Sequence, residues 1–295
     1  MQTAESLRRK MHSAEDLLDV VRTMKTLAAV SIRHYELAVE SLQEYSRTVE
    51  LGLRALLVQR PEVRINLQGI TDEEMPGRAG IIVFGTDQGL CGQFNERVVA
   101  LADDAARATG RPRFVAAVGE RCAGLLEEAG LPPQQLFNVP SGIAGVGSLV
   151  QDLLFTVEAW QQRDPLVHID LIANRPRGGP LYATERRQLL PVDRAWLADL
   201  ATTPWDSRSL PWSRMHWRDL LAALLQQHLY VTLYRTLVES LASEDASRLA
   251  AMQNAERNIE ERLADLNAAY HHRRQETITA ELLDIVAGFE AVVNN

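Results

Sequence analysis

The feature that most constrains this chain is an apolar stripe that runs from its first residues as far as Pro61. Apolar side chains recur at alternating spacings of four and three residues from Leu7 to Leu56, and only Lys25 and Ser46 interrupt them. This spacing is typical of a helix that packs along a second helix, and its length is several times that of an ordinary globular helix. The first segment is therefore predicted to be one long helix of a coiled coil.

The last segment of the chain carries a matching pattern. After Pro211 there is no proline, and Gly288 is the only glycine. Apolar residues recur through 220–270 and again through 278–292. The remaining residues are too few to bury two helices of this length, so the helices are predicted to pair with each other, antiparallel. Residues 1–60 and 208–295 are thus predicted to form a discontinuous shaft.

Between the two stripes the periodicity changes to that of an α/β domain. A continuous apolar run at 79–86, bounded by glycine, predicts a buried strand. Further strands are predicted at 113–118, 135–139, 166–173 and 181–192, with helices at 94–108, 120–129 and 148–163 and a connection at 193–217. Such alternation is typical of a mostly parallel sheet covered by helices. The predicted fold class is α/β plus all-α: a long antiparallel two-helix coiled coil formed by both termini, with a central Rossmann-like domain at 77–195.

Composition excludes several classes of function. A formal net charge of −8 argues against a nucleic-acid partner held by phosphate contacts. The most apolar stretch, 220–234, contains two glutamines and a histidine and is too short to span a bilayer. The N-terminus lacks the apolar core of a secretory signal, and two cysteines make no disulfide framework, which favours a reducing compartment. Any membrane association is expected to pass through a partner.

Two glycine groups raise the question of a nucleotide site. The first, 85–92, follows a strand, but no Lys-Ser/Thr pair closes it and the last lysine of the chain is Lys25. The second, at 142–147, has the order G-x-x-G-x-G, which is not the dinucleotide order. Both groups are interpreted as backbone turns that need positive φ.

The remaining candidates for chemistry are weak. His271 and His272 are adjacent and lack the i, i+4 spacing of a helical metal pair. Cys91 has no evident His–Asp partner and is interpreted as a small buried thiol. We therefore predict no catalytic residue, no metal and no cofactor. Polar residues at seam positions, such as Lys25 and Arg248, either extend to water or contact a surrounding protein.

Three stretches of the chain resemble the gamma subunit of F-type ATP synthases. They are the basic–Met pattern of 7–11 and 22–24, the Asp-x-Gly-Leu-Cys-Gly turn of 87–92 with Asn95, and the closing pattern of 233–252, 274–275 and 278–288. They follow in the family's order and extend over essentially the whole chain.

The resemblance implies a rotary function without a catalytic site in this chain. The antiparallel shaft would turn inside a head of alternating alpha and beta subunits, coupling ion translocation to ATP synthesis or hydrolysis. The α/β domain would contact the epsilon subunit and the c-subunit ring, on the cytoplasmic face of a bacterial inner membrane. Contacts with the head are implied for Met24, Lys25, Arg248, Arg274, Gln275 and Thr279. A structural turn is implied for Gly89, Cys91, Gly92 and Asn95.

Two other classes of protein remain open from the residues alone. A coiled-coil scaffold or signalling protein with an α/β sensor domain would form a stable homodimer by itself. A small-ligand or nucleotide-binding α/β enzyme would bind its ligand saturably as the isolated chain.

Overall fold

A computed structural model of the chain describes residues 3–60, 79–109, 114–164, 168–178, 181–203, 205 and 207–293. Its helices are α1 (Ala4–Gln59), α2 (Phe94–Thr109), α3 (Glu120–Glu128), α4 (Ile143–Arg163), α5 (Arg194–Thr202) and α6 (Trp217–Val293). Its strands are β1 (Ala79–Phe84), β2 (Phe114–Val118), β3 (Gln135–Phe137), β4 (His168–Gly178) and β5 (Leu181–Leu190). Long helices at both termini and a central sheet confirm the predicted fold class.

The chain divides into two compact units. The terminal unit contains residues 1–28 and 249–295, and the central unit contains residues 29–248. The predicted domains, a shaft at 1–60 and 208–295 and an α/β domain at 77–195, were defined by type of secondary structure and not by compactness. This division stays a prediction.

Within the central unit the two terminal helices run antiparallel. Tyr45 Oη donates a 2.6 Å hydrogen bond to Gln227 Oε1, and a Cβ placed on Gly52 would lie 2.9 Å from Leu224. Later residues of α1 thus meet earlier residues of α6. Every position of the predicted α1 stripe is buried or half-buried, including the polar Lys25 and Ser46. The period of the sequence therefore identifies the packing face of α1 correctly along its whole length.

The central unit contains a five-stranded sheet in the order β3-β2-β1-β4-β5. The first four strands are parallel, and β5 pairs antiparallel with β4. Strands β1 and β2 are almost wholly buried because helices cover both faces of the sheet. One face packs on α4, α6 and Tyr35 of α1, and the other packs on α2 and α3. The predicted mostly parallel sheet is confirmed.

Two local predictions are wrong. Helix α4 begins at Ile143, not at 148, so Gly145 and Gly147 lie inside its first turns and Gly142 has an extended φ of 175°. The positive φ predicted for this glycine group is absent; Gly145 instead lies so close to Pro140 that a Cβ would be 3.0 Å from its ring. The 193–217 connection contains a helix, α5, and the Asp193 carboxylate accepts hydrogen bonds from the N–H groups of Ala195 and Trp196 in its first turn.

In the described part of the chain, no helix is both long enough and apolar enough to cross a membrane.

Candidate functional site

The turn that joins β1 to α2 is closed by a buried pair of polar side chains. Thr86 N–H donates to Asn95 Oδ1 at 2.9 Å, and Asn95 Nδ2 donates back to Thr86 Oγ1 at 2.8 Å. Thr86 Oγ1 in turn donates to the carbonyl oxygen of Gln88 at 2.5 Å. Both Thr86 and Asn95 are at most 1% exposed, so their hydrogen bonds are made inside the protein and hold one conformation of the turn.

Asp87 connects this turn to two other segments. Its Oδ1 accepts from the backbone N–H of Glu120, the first residue of α3, at 2.9 Å. Its Oδ2 accepts from the N–H of Val139, just after β3, at 2.9 Å. Such helix N-termini at the carboxyl edge of a parallel sheet bind phosphate in nucleotide-binding proteins. Here the carboxylate of the chain itself takes the anion's place.

The backbone of the turn differs from the prediction in one respect. Gly92 has a φ of +62°, as predicted, but Gly89 is not in the left-handed region and Leu90 is, at +65°. A Cβ on Gly89 would come no closer than 3.8 Å to any neighbour. Gly85 is the sterically critical position, because its Cβ would lie 2.3 Å from that of Cys122. Glycine is therefore required at 85 by a close approach and at 92 by φ.

Small side chains of α6 attach that helix to the sheet. Ser247 Oγ donates to the carbonyl oxygen of Cys91 at 2.6 Å, and Ser243 Oγ lies 3.3 Å from the carbonyl oxygen of Asn174 in β4. Asn174 Nδ2 donates to the carbonyl oxygen of Phe94 at 3.1 Å. Sequence reasoning missed these residues, although the small side chains of Ser240, Ala242, Ser243, Ala246 and Ser247 are a signal that a sheet approaches closely.

One arginine on α6 is shared by two buried carboxylates. Arg248 Nη2 donates to Glu244 and Nη1 donates to Asp245 at 2.6 Å, and the Arg248 side chain is only 16% exposed. Burial raises the pKa of the Glu244 carboxyl to about 7 against the opposing effect of Arg248. Burial, with the charge of Asp245, raises the pKa of the Tyr35 phenol to about 12.

The Cys91 thiol lies beside this group of charges. Its side chain is 2% exposed, and the thiol is free. Burial and then the negative charge of Glu244 raise its pKa, which keeps the thiol protonated and unreactive. The interpretation of Cys91 as a small buried thiol is confirmed.

The terminal unit holds a second set of ion pairs. Arg22 donates to Glu256 at 3.0 Å and to Glu260 at 2.8 Å, and Lys25 Nζ donates to the other oxygen of Glu256. Lys25 and then Arg22 lower the pKa of the Glu256 carboxyl. Lys25 and Arg248 thus each form ion pairs within the chain. Their role as contacts with a surrounding head stays a prediction.

Beyond the ion pairs, the described side chains of α6 between residues 274 and 286 are exposed. Arg274, Gln275 and Thr279 are exposed, whereas Met24 on α1 is half-buried. The apolar residues of this stretch are exposed by 47–69%: Ile278, Leu282, Leu283, Ile285 and Val286. Such a stripe, apolar and uncovered, is suited to contact with another protein.

The described residues contain no cluster of three or more His, Cys, Asp or Glu side chains able to hold a metal ion. His272 Nδ1 instead lies 3.5 Å from Glu276 on the same exposed helix face.

Comparisons with known proteins agree over almost the whole chain. A family model described as ATP synthase matches residues 3–292. The ATP synthase gamma chain of Acidithiobacillus ferrooxidans is 26% identical over 296 residues, which cover 99% of this chain and 100% of that protein.

Solved structures share the fold. A chain of the Euglena gracilis mitochondrial ATP synthase, in a structure of OSCP/F1/c-ring in rotational state 3, aligns with a TM-score of 0.66 at 17% identity over 98% of this chain and 94% of its own length. A chain of the central stalk and c-ring of the Tetrahymena thermophila mitochondrial ATP synthase aligns with a TM-score of 0.59 at 20% identity, over 80% and 99%.

Proposed function

The chain belongs to the ATP synthase gamma family, and we propose that it is the rotary shaft that couples ion translocation to ATP synthesis and hydrolysis. Rotation of an asymmetric shaft inside the catalytic head presents a different face to each nucleotide site in turn. Those differing contacts shift each site between conformations, and the same coupling lets hydrolysis drive the rotation in reverse.

The observation that carries the proposal is the attachment of the sheet to α6. A shaft transmits torque only if its domains cannot slide on one another, so here the sheet must be held firmly on α6. Ser247 and Ser243 form hydrogen bonds from α6 to the β1–α2 turn and to β4. Leu233 and Leu237 of the same helix are buried against the face of the sheet that packs on α4 and α6. A buried apolar contact with specific hydrogen bonds resists sliding better than an apolar contact alone, because sliding would leave buried polar groups without partners.

The partners we propose are the alpha and beta subunits of the head, the epsilon subunit and the c-subunit ring. The relatives and solved chains described above are parts of ATP synthases, one of them from a central stalk with its c-ring. The polar side chains of Arg274, Gln275 and Thr279 are exposed and suit discrete contacts with the head. We propose that Met24, Lys25 and Arg248 face the head as well, the last two oriented by their own ion pairs.

The chain is a subunit of an enzyme complex, and we propose that it contributes no catalytic residue. Asp87 occupies the N–H groups that a phosphate would need, and the chain has no lysine after position 25. We further propose that the complex sits on the cytoplasmic face of a bacterial inner membrane, with this chain peripheral to it.

Co-purification with separately expressed alpha and beta subunits tests the proposal. We expect a stable assembly with ATPase activity, and no activity from this chain by itself. A chain that stays a solitary homodimer in the presence of alpha and beta subunits would contradict the shaft function and favour a scaffold.

A further inference from the structure

We propose that the ion pair between Lys25 and Glu256 sets the register in which α1 and α6 pack in the terminal unit and prevents one helix from sliding along the other. We call these two residues the register pair. The inference goes beyond the proposed function because it assigns the register to two particular side chains, and only its consequence for coupling rests on that function.

Each helix has one charged residue in its apolar stripe within the terminal unit, and these two residues meet. In α1, Lys25 is the one polar member of the stripe between Leu7 and Ala28. In α6, buried and half-buried residues recur at spacings of four and three, and Glu256 is the one charged member of this series: Met252, Glu256, Ile259, Leu263, Leu266 and Tyr270. The Lys25 side chain is 33% exposed and that of Glu256 only 16%. The charges therefore lie at the helix–helix contact and not on the outer faces.

The Glu256 carboxylate accepts hydrogen bonds at both of its oxygens from the facing helix. Lys25 Nζ donates to Oε2, and Arg22 Nε donates to Oε1 at 3.0 Å. Arg22 Nη2 also donates to Glu260 Oε1 at 2.8 Å. Charge-assisted hydrogen bonds of this kind depend strongly on distance and direction, so a displacement of a few ångströms along the helix axis breaks them.

Apolar contacts alone do not define the register of the terminal unit. The unit contains the ends of two helices, and all the described strands lie outside it. Both stripes repeat every seven residues, so a displacement by one repeat, about 10 Å, again brings apolar side chains together. Because the burial of apolar surface is non-directional, it opposes separation of the helices more than sliding.

A displacement by one repeat would place both members of the register pair against apolar side chains. Lys25 would then face Leu249 or Leu263, and Glu256 would likewise face an aliphatic residue of α1. A charge removed from water without a partner is costly, so these registers are disfavoured. Polar residues at single seam positions specify register in coiled coils for the same reason, at some cost in stability.

The register pair has a consequence for a rotating shaft. Two rods that cannot slide along each other bend and twist less under a given load than two rods that can. The terminal unit has only its two helices to resist such a load. If the chain is the rotary shaft that we propose, the register pair keeps the angle of this end of the shaft fixed while torque is transmitted.

Distances between spin labels in the free full chain test the register. The labels are attached through Asp16→Cys on α1 and Gln253→Cys on α6, two exposed positions of the terminal unit. The native cysteines are buried and stay unlabelled. We expect one narrow distribution of distances in the parent chain.

The variant Lys25→Leu/Glu256→Leu makes both stripes continuous. We expect it to broaden the distribution or to add a second maximum displaced by up to about 10 Å, which is one repeat. Its urea midpoint should be equal to or above that of the parent, because replacing an ion pair by apolar side chains is often neutral or stabilising. A single narrow distance identical to that of the parent would overturn the inference, and so would a lower urea midpoint with unchanged distances, which indicates a purely stabilising pair.

Lys25→Glu/Glu256→Lys exchanges the two charges and should restore the single narrow distribution. Arg22 keeps its bond to Glu260 in this variant, and the new carboxylate at position 25 lies three positions from Arg22. A distribution as broad as that of the double leucine variant would contradict the assignment.

Arg33→Leu/Glu36→Leu is the matched control. It also replaces an ion pair by two leucines, but Arg33 and Glu36 are exposed residues of the same helix, 3.2 Å apart. This variant should give the distribution of the parent chain. Broadening as large as that at the register pair would show that the effect comes from the added leucines, and the inference would be wrong.

The assembled complex tests the consequence for coupling. The ratio of ion-driven ATP synthesis to ATP hydrolysis should fall at least two-fold in the double leucine variant and recover when the charges are exchanged. A direct contact of Lys25 with the head would not recover, because the exchange reverses the charge at position 25. An unchanged ratio would overturn the consequence for coupling. Failure to assemble with alpha and beta subunits would instead contradict the proposed function, while the distances in the free chain still decide the register.

Discussion

Ser247 Oγ and the carbonyl oxygen of Cys91 are joined by a buried 2.6 Å hydrogen bond, although 156 positions separate the two residues in the chain. The bond attaches α6 to the turn after β1, where Thr86 and Asn95 already hold the backbone rigid. The α/β domain, which we propose contacts the rotating partners, is therefore bonded directly to α6, which we propose rotates inside the head.

We expect Ser247→Ala to lower the free energy of unfolding by about 1–3 kcal/mol, because it leaves a buried carbonyl oxygen without its donor. Urea denaturation gives this value, and amide exchange at residues 90–92 should accelerate. Ser41→Ala is the control, since Ser41 is exposed and donates only to its own helix, at Leu37. If the two variants have the same urea midpoint, the Ser247 bond does not stabilise the attachment.

The packing face of α1 and the strands of the sheet were predictable because each one produces a regular apolar pattern in its own segment of the sequence. The stripe from Leu7 to Leu56 matches the buried face of α1, and the apolar runs match β1, β2 and β4 to within a few residues. The hydrogen bond between Ser247 and Cys91 was not predictable, because the sequence around one residue does not indicate that the other lies next to it in the fold.

The turn shows a second limit of sequence reasoning. A pattern of glycines shows that a sharp turn occurs, but not which residue has positive φ. Here Leu90 takes the left-handed conformation and Gly89 does not, since the hydrogen bonds from Thr86 and Ser247 fix the path of the chain. Similarly, the ion pairs of Lys25 and Arg248 depend on acids elsewhere in the fold or one turn away, so the spacing alone left their role open.

Glycines 85 and 89 should respond differently to the same substitution. Gly85→Ala places a Cβ 2.3 Å from that of Cys122 and should destabilise the protein by roughly 1–3 kcal/mol or prevent folding. Gly89→Ala has room and an ordinary φ, so it should change the free energy of unfolding by less than about 0.5 kcal/mol. Urea midpoints of the two variants, or soluble yield where Gly85→Ala does not fold, make the comparison. Equal loss at both sites would show that the packing described around Gly85 is wrong.

The Glu244 carboxyl should make stability depend on pH near neutrality. Its pKa is raised by burial from 4.5 to about 7 in the folded protein, so the folded state binds this proton more tightly than the unfolded chain. The stabilisation is complete below pH 4.5 and is lost as pH rises through about 7. The charged or titratable groups around it are Arg248 and Asp245 on α6, Asp87 and Cys91 in the turn and Tyr35 on α1.

Glu244→Gln should remove this dependence. Between pH 5 and pH 7 the difference in unfolding free energy between the variant and the parent should change by on the order of 1.4 kcal/mol per pH unit, in favour of the variant at higher pH. Urea midpoints across this range measure it, with Glu36→Gln, an exposed acid on α1, as control. A constant difference across the range would mean that Glu244 does not hold its proton.

Three exposed residues of α6 allow the proposed head contacts to be tested without a change in folding stability. Arg274, Gln275 and Thr279 are exposed, and apart from one hydrogen bond from Thr279 Oγ1 to the Gln275 carbonyl oxygen they have no described bond to the chain. Changing all three to alanine should therefore leave the urea midpoint of the free chain within about 0.5 kcal/mol of the parent. In the complex, losing the hydrogen bonds that we propose these side chains make to the head should lower the rate of ion-driven ATP synthesis several-fold.

Membrane vesicles that carry the reconstituted complex make this measurement, with ATP synthesis and ATP hydrolysis followed in parallel. Hydrolysis should fall less than synthesis if, as we propose, the exposed apolar residues from Ile278 to Val286 guide the rotation and the three polar residues set the angular preference of the shaft. Glu127→Ala, an exposed change on α3 far from the end of α6 in sequence, should leave both rates unchanged. Unchanged synthesis by the triple variant would show that these side chains do not carry the contact with the head, and the apolar stripe would then be the remaining candidate.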